Sequence, residues 1–283
     1  MDQSAQSPYT AFEALDCYDL IEWAGTQPWS TGRVGLSGVS YLASIQWFVA
    51  ALAPPHLAAI NPWEGWSDTY REVARHGGIP ETCFWRYLPS RWGHSVTEVE
   101  DLAAEDAEHP LYDAFWASKS APLERITVPA FVVASRSDQG PHTRGTLEGF
   151  KQIASRQKWL EVHGRKKFLR ARPDGTAARV LRSFPVGQEH RRAFLAWQPV
   201  LRHARVLPLT AGEPTCLEIE IWPSGTRFEA GEGLRLVVQG RDVYDYPAEL
   251  MADRHCETVN RGAHRLFSRG HFDSHLLVPV VSL

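Results

Sequence analysis

Ser40, Asp138 and His163 are the three residue types that together split acyl bonds, and they occur in this chain in that order. A serine hydroxyl becomes a nucleophile when an imidazole takes its proton and a carboxylate fixes the tautomer of that imidazole. Ser40 lies in Gly35-Leu36-Ser37-Gly38-Val39-Ser40-Tyr41-Leu42-Ala43. An apolar, strand-like approach over Arg33–Leu36 meets a Gly-x-Ser turn, and an apolar helical run follows from Leu42 to Leu52. Such a strand-turn-helix junction is a nucleophile elbow, which needs small residues around a strained serine. Gly35-Leu36-Ser37 also fits the first half of the motif. Ser40 is preferred, because a turn at Ser37 would place Gly38 and Val39 in the first helical turn, where both are poor helix formers. Leu42 stands where the usual G-x-S-x-G motif has its last glycine. A Gly/Ser-rich turn without chemistry is the competing reading of these residues alone.

The partners sit where an open α/β sheet puts functional groups, just past the carboxyl ends of strands. The run Ile126–Ala134 is continuously apolar with Pro129 near its start, which predicts a buried strand, and it leads into Ser135-Arg136-Ser137-Asp138-Gln139-Gly140. A helix is predicted over about 143–155. A short strand over Lys158–Val162 then ends at His163-Gly164. The chain order of serine, acid and histidine is that of the α/β-hydrolases. Taken singly, Asp138 reads as a loop or cap residue, and His163 has eleven rivals among the 12 histidines.

Several stretches resemble the CocE/NonD-type serine hydrolases, relatives of cocaine esterase and the X-Pro dipeptidyl-peptidases. They are Glu22-Trp23, Gln27-Pro28-Trp29, Gly32 to Leu42, Ala53 to Leu57, Pro62 to Arg71, His76 to Ile79, Thr143 to Thr146 and Lys158 to Gly164. The resemblance implies an α/β-hydrolase domain, a helical cap and a C-terminal jelly-roll-like β-sandwich. It places the nucleophile on Ser40, the acid on Asp138 and the histidine on His163. Tyr41 matches the aromatic whose backbone N–H forms half of the oxyanion hole. The family pattern tolerates Leu42. Members of the family begin well upstream of this N-terminus, and that upstream part holds the first strands and a tyrosine that completes the oxyanion hole. The resemblance therefore implies a chain truncated at its N-terminus and in its cap. The rival expectation is a catalytically impaired relative acting as a non-enzymatic binding or scaffold protein. Losing one oxyanion donor costs roughly a hundredfold or more in turnover.

Composition bounds the remaining classes. The chain has 283 residues, 43% hydrophobic and 22% charged, as in an ordinary globular protein. A net charge of −3 argues against nucleic acid as a partner. No run reaches the roughly 18 apolar residues of a membrane span, and Met1-Asp2-Gln3-Ser4 does not open a signal sequence. No membrane partner and a cytoplasmic location are expected. Cys17, Cys83, Cys216 and Cys256 are scattered, as reduced thiols are. No cofactor and no metal are expected, since acyl transfer at serine needs neither. His76, His94 and His109 match no metal spacing, and His271-x-x-x-His275 lies in β-like sequence. Glu64 and Asp68, four apart, are placed on one helix face of the cap, in a capping or ion-pair role. The expected substrate is a small ester, amide or short peptide; nothing bears on oligomeric state.

The chain divides by texture. Residues 1–168 alternate strand-like and helix-like segments, as a parallel α/β sheet does, with the cap at about 66–116. Residues 169–205, rich in arginine, read as a linker or irregular crossover. From Val206 to the end the texture is β, with strands expected at Cys216–Trp222, Leu234–Gly240 and Leu276–Val280. This part, 206–283, resembles the X-Pro dipeptidyl-peptidase C-terminal domain; a sugar-binding sandwich fits the patterning equally.

Overall fold

A computed structural model describes residues 11–81, 84, 100–135, 141–163, 202–217, 219, 231, 236, 238, 263–268 and 270–277. Asp138, His94, the basic run at 165–167 and the stretch 169–201 lie outside these residues, as do most positions of the three expected C-terminal strands. The chain falls into two compact units. One is Met1–Arg205 with Leu217–Gly225; the other is Val206–Cys216 with Thr226–Leu283. In the second unit the described residues form turns and irregular chain, with Gly212, Gly231 and Gly270 at positive φ.

The first unit is an α/β-hydrolase-like sheet. Helix α1 (Ala11–Thr26) leads into strand β1 (Val34–Val39), helix α2 (Tyr41–Ala51) and strand β2 (Leu57–Trp63). After an excursion, strand β5 (Ala130–Ser135), helix α5 (Thr143–Gln152) and strand β6 (Lys158–His163) follow. The four strands run parallel in the order β1-β2-β5-β6, so all their carboxyl ends lie along one edge. The excursion holds a π-helix (Tyr70–Ala74), a minimal hairpin of β3 (Arg75–His76) and β4 (Ile79–Pro80), and two short helices, α3 (Leu102–Glu108) and α4 (Ala114–Ser118). Asp101 and Asp113 cap the short helices, each accepting two backbone N–H groups.

Pleating sorts the strand residues by face. Ile60, Ala130 and Val132 point into one apolar core with Trp47 and Phe48 of α2, Phe150 of α5 and Ile21 of α1. On the opposite face, Ser37, Ala59, Phe131 and Trp159 are exposed. Ile126–Ala134 was expected to be buried throughout, yet Phe131 is 39% exposed because it alternates onto this second face.

The β2–β5 ladder is thinner than its neighbours, with only Ile60↔Ala130 and Trp63↔Val133 in register. Pro62 explains the thinning. The N–H of Ile60 reaches Pro129 O (2.9 Å), just before β5, and that of Glu64 reaches Val133 O (2.8 Å) within it, so position 62 faces the same way and has no N–H to give. The Phe131 carbonyl between those two acceptors takes the side-chain amide of Asn61 instead, at 2.5 Å.

A buried ion pair ties α5 to the excursion. Arg144 Nη1 lies 2.9 Å from Glu72 Oε1, and Glu72 Oε2 accepts the backbone N–H groups of Ser67 (2.7 Å) and Asp68 (3.0 Å). Asp68 pairs with Arg71, three residues on, while Glu64 lies outside any helix, so the expected shared face of Glu64 and Asp68 is not formed. Among the described residues, no helix is long and apolar enough to cross a membrane.

Candidate active site at the carboxyl ends of the strands

Ser40 occupies the single-residue turn between β1 and α2, with φ 61° and ψ −119°. A non-glycine residue adopts such a backbone only where its surroundings hold it there. Here the Ser40 N–H donates to Trp63 O at 3.1 Å, and the Ser40 carbonyl accepts from Ala43 N and Ser44 N, each at 2.9 Å. The turn also requires Gly38, because a Cβ there would lie 2.6 Å from the Leu42 Cβ. Leu42 itself is 62% exposed, so a side chain at the position of the motif's last glycine meets no obstacle. Ser37 lies inside β1, where its hydroxyl donates to Asn61 Oδ1 at 2.9 Å. Tyr41 is the first residue of α2, so its N–H is one of the donors that the helix does not use internally.

The Ser40 hydroxyl lies 3.0 Å from the Nε2 of His142. His142 is buried and directly precedes α5. Its carbonyl accepts from Thr146 N at 3.0 Å and from the Thr146 hydroxyl at 2.8 Å, which fixes the backbone beneath the ring. The Trp66 indole packs beside it, with ring centroids 5.6 Å apart.

His163 ends β6 and meets Glu64, the residue directly after β2. Its Nε2 lies 2.8 Å from Glu64 Oε1 and 3.4 Å from Trp63 Nε1. Nε2 cannot both donate to the carboxylate and accept from the indole N–H. The indole N–H is aligned with Nε2, which accepts it; the shorter carboxylate contact lacks that alignment and is a close polar contact. Glu64 is fully buried, with φ 55°.

His142 escaped sequence reasoning, whereas Glu64 was singled out for a capping or ion-pair role and is found against His163. His142 follows Asp138 by four residues, just before a predicted helix, but the strand-end criterion favoured His163. That same criterion, applied to Leu57–Trp63, would have pointed to Glu64. Asp138 lies outside the described residues. One surface group, Glu105, Glu108 and His109, brings three metal-ligating side chains within 4.8 Å of one another. There His109 Nδ1 is already 2.6 Å from Asp113 Oδ2, which reads as an ion-pair cluster.

Residues 6–166 match the profile of the X-Pro dipeptidyl-peptidase S15 family, more than half of the chain. The chain belongs to that hydrolase family. Residues 165–276 match the X-Pro dipeptidyl-peptidase C-terminal non-catalytic domain. Among solved structures, a CocE/NonD family hydrolase from Staphylococcus aureus superposes with a TM-score of 0.56 at 52% identity, covering 58% of this chain and 30% of that one. The cocaine esterase of Rhodococcus sp. (strain MB1 Bresler) is 41% identical over 64 residues, which is 23% of this chain and 11% of the esterase. The S15-family chain thus matches less than a third of the length of either relative.

Proposed function

We propose that this S15-family chain hydrolyses an ester or amide through an acyl-enzyme on Ser40. The observation that carries the reading is the backbone of Ser40, a non-glycine at φ 61° between a strand and a helix, with an imidazole nitrogen 3.0 Å from its hydroxyl. The hydroxyl attacks the substrate carbonyl as its proton passes to a histidine, and the same proton goes on to the leaving group. Water then repeats the cycle in reverse. The Tyr41 N–H, at the head of α2, is the proposed oxyanion donor. His163 is the proposed base, with Asp138 as its orienter, on the strength of chain order and family resemblance. A second reading assigns the base to His142, and the 3.0 Å contact favours it. The relatives' names point to small esters and X-Pro peptides as the substrates to try.

The test is covalent labelling of the full chain with a fluorophosphonate. Label should arrive at Ser40 and vanish in Ser40→Ala. Loss of the base should slow labelling roughly a hundredfold or more. A large loss in His163→Ala with a small one in His142→Ala favours the first reading; the reverse favours the second. A folded chain that takes no label is the binding or scaffold protein that was the rival expectation.

A further inference from the structure

We propose that Trp63 is a positioning residue for His163: its indole N–H holds the imidazole in the tautomer with the proton on Nδ1 and the lone pair on Nε2. The inference rests on the reading in which His163 is the base and Asp138 its orienter, and it deepens that reading. A carboxylate that accepts from Nδ1–H and an indole that donates to Nε2 ask for the same tautomer.

Three observations converge. The first is the bond itself. Trp63 Nε1 donates to His163 Nε2 at 3.4 Å, and the two rings meet edge to face, with 85° between their planes. An indole nitrogen can only donate, so the nitrogen that it meets is the acceptor. The second is a rival pull on the same nitrogen. Glu64 Oε1 lies 2.8 Å from Nε2, and the Glu64 side chain is fully buried with, among the described residues, no aligned hydrogen bond to either oxygen. A carboxylate so placed draws a proton onto Nε2, which would leave that nitrogen without a lone pair for Ser40. The indole N–H opposes it. The third is the anchoring of Trp63. It ends β2, in register with Val39 of β1 and Val133 of β5, and its carbonyl accepts the Ser40 N–H at 3.1 Å. One residue thus steadies the serine turn through its backbone and the imidazole through its side chain. The indole bond is longer than an ordinary N–H bond, so it can yield to the Ser40 hydroxyl when a substrate arrives.

Nitrogen NMR of the full chain carrying isotope-labelled histidine tests this directly, with the His163 signals assigned by their loss in His163→Gln. With the ring neutral, the wild type should show its proton on Nδ1 and a bare, hydrogen-bonded Nε2. Trp63→Phe keeps an aromatic ring and loses the donor. It should bring a proton onto Nε2 and slow fluorophosphonate labelling of Ser40 roughly twofold to tenfold, as the loss of one net hydrogen bond does. Removing the rival as well, in the double variant Trp63→Phe with Glu64→Met, should clear Nε2 and recover labelling. A merely structural role of Trp63 would not be rescued in this way. A proton on Nε2 of the neutral ring in the wild type overturns the proposal without any variant, which covers the case of a substituted chain that does not fold. Unchanged labelling in a folded Trp63→Phe chain overturns it as well. The reading beneath it fails by a different sign, an unlabelled wild type or undiminished labelling in His163→Ala, and the proposal then falls with it.

Discussion

At the scale of single residues, the candidate site holds two side chains at positive φ, Ser40 and Glu64, each directly after a strand. Holding Ser40 in this region costs on the order of 1–2 kcal/mol. Comparing two variants that lack the hydroxyl isolates that cost. Ser40→Ala and Ser40→Gly both lose the hydroxyl and its contact with His142, but only glycine relaxes the backbone. Ser40→Gly should therefore be the more stable of the two by about 1 kcal/mol, read as a higher urea midpoint at unchanged slope. Equal midpoints would mean that the turn carries no strain. Gly38, Ser40 and the departure at Leu42 were all legible in the sequence, because a tight turn has local chemistry. The neighbours of Ser40 and His163 were not. Which imidazole reaches Ser40 is decided by how α5 begins, and which carboxylate reaches His163 by sheet order; neither leaves a local mark.

At the scale of elements, the strands and helices that carry the site follow the sequence closely. The helix expected from Leu42 is α2 at Tyr41–Ala51, and the strand expected to end at His163 is β6. What patterning missed is which strand residues face a cover of helices, as Phe131 shows. The contact between α5 and the excursion is tight enough to predict from. A Cβ on Gly145 would lie 2.0 Å from Glu72 Oε2 and 2.6 Å from the Trp66 Cα, with backbone on one side and a buried ion pair on the other. Gly145→Ala should cost about 1–3 kcal/mol in chemical unfolding and should slow labelling of Ser40, because α5 positions His142. The β3–β4 hairpin predicts a pH response. Burial holds the His76 imidazole below its ordinary value of 6.5, against the opposing pull of its 2.6 Å hydrogen bond to the Glu72 carbonyl. The unfolded chain then binds a proton that the folded chain does not, so the stabilisation is complete above about pH 6.5 and falls away as pH drops through the folded value. Urea midpoints of the wild type should decline over that window, and His76→Gln should flatten this part of the decline.

At the scale of the whole first unit, chain order and sheet order disagree in one place. β1 with β2, and β5 with β6, are neighbours in both, each pair joined through one helix. β2 and β5 are neighbours only in space, with residues 64–129 between them. The sheet is thus two βαβ halves meeting along the thin ladder that Pro62 interrupts. Ser40 and Glu64 belong to the first half, and His142 and His163 to the second. Under rising urea, fluorophosphonate labelling should therefore fall before the helical circular dichroism does; coincident loss would mean that the seam is no weaker than the halves. Loop closure grows only slowly more costly with length, so the long excursion is cheap to keep but late to close. Each half can organise its own strands early, and neither contains both members of the Ser40–His142 or the Glu64–His163 pair. A nascent or partly unfolded chain would then hold all of these side chains with neither pair formed, so the hydrolysis proposed for Ser40 would begin only with the last joining of the sheet.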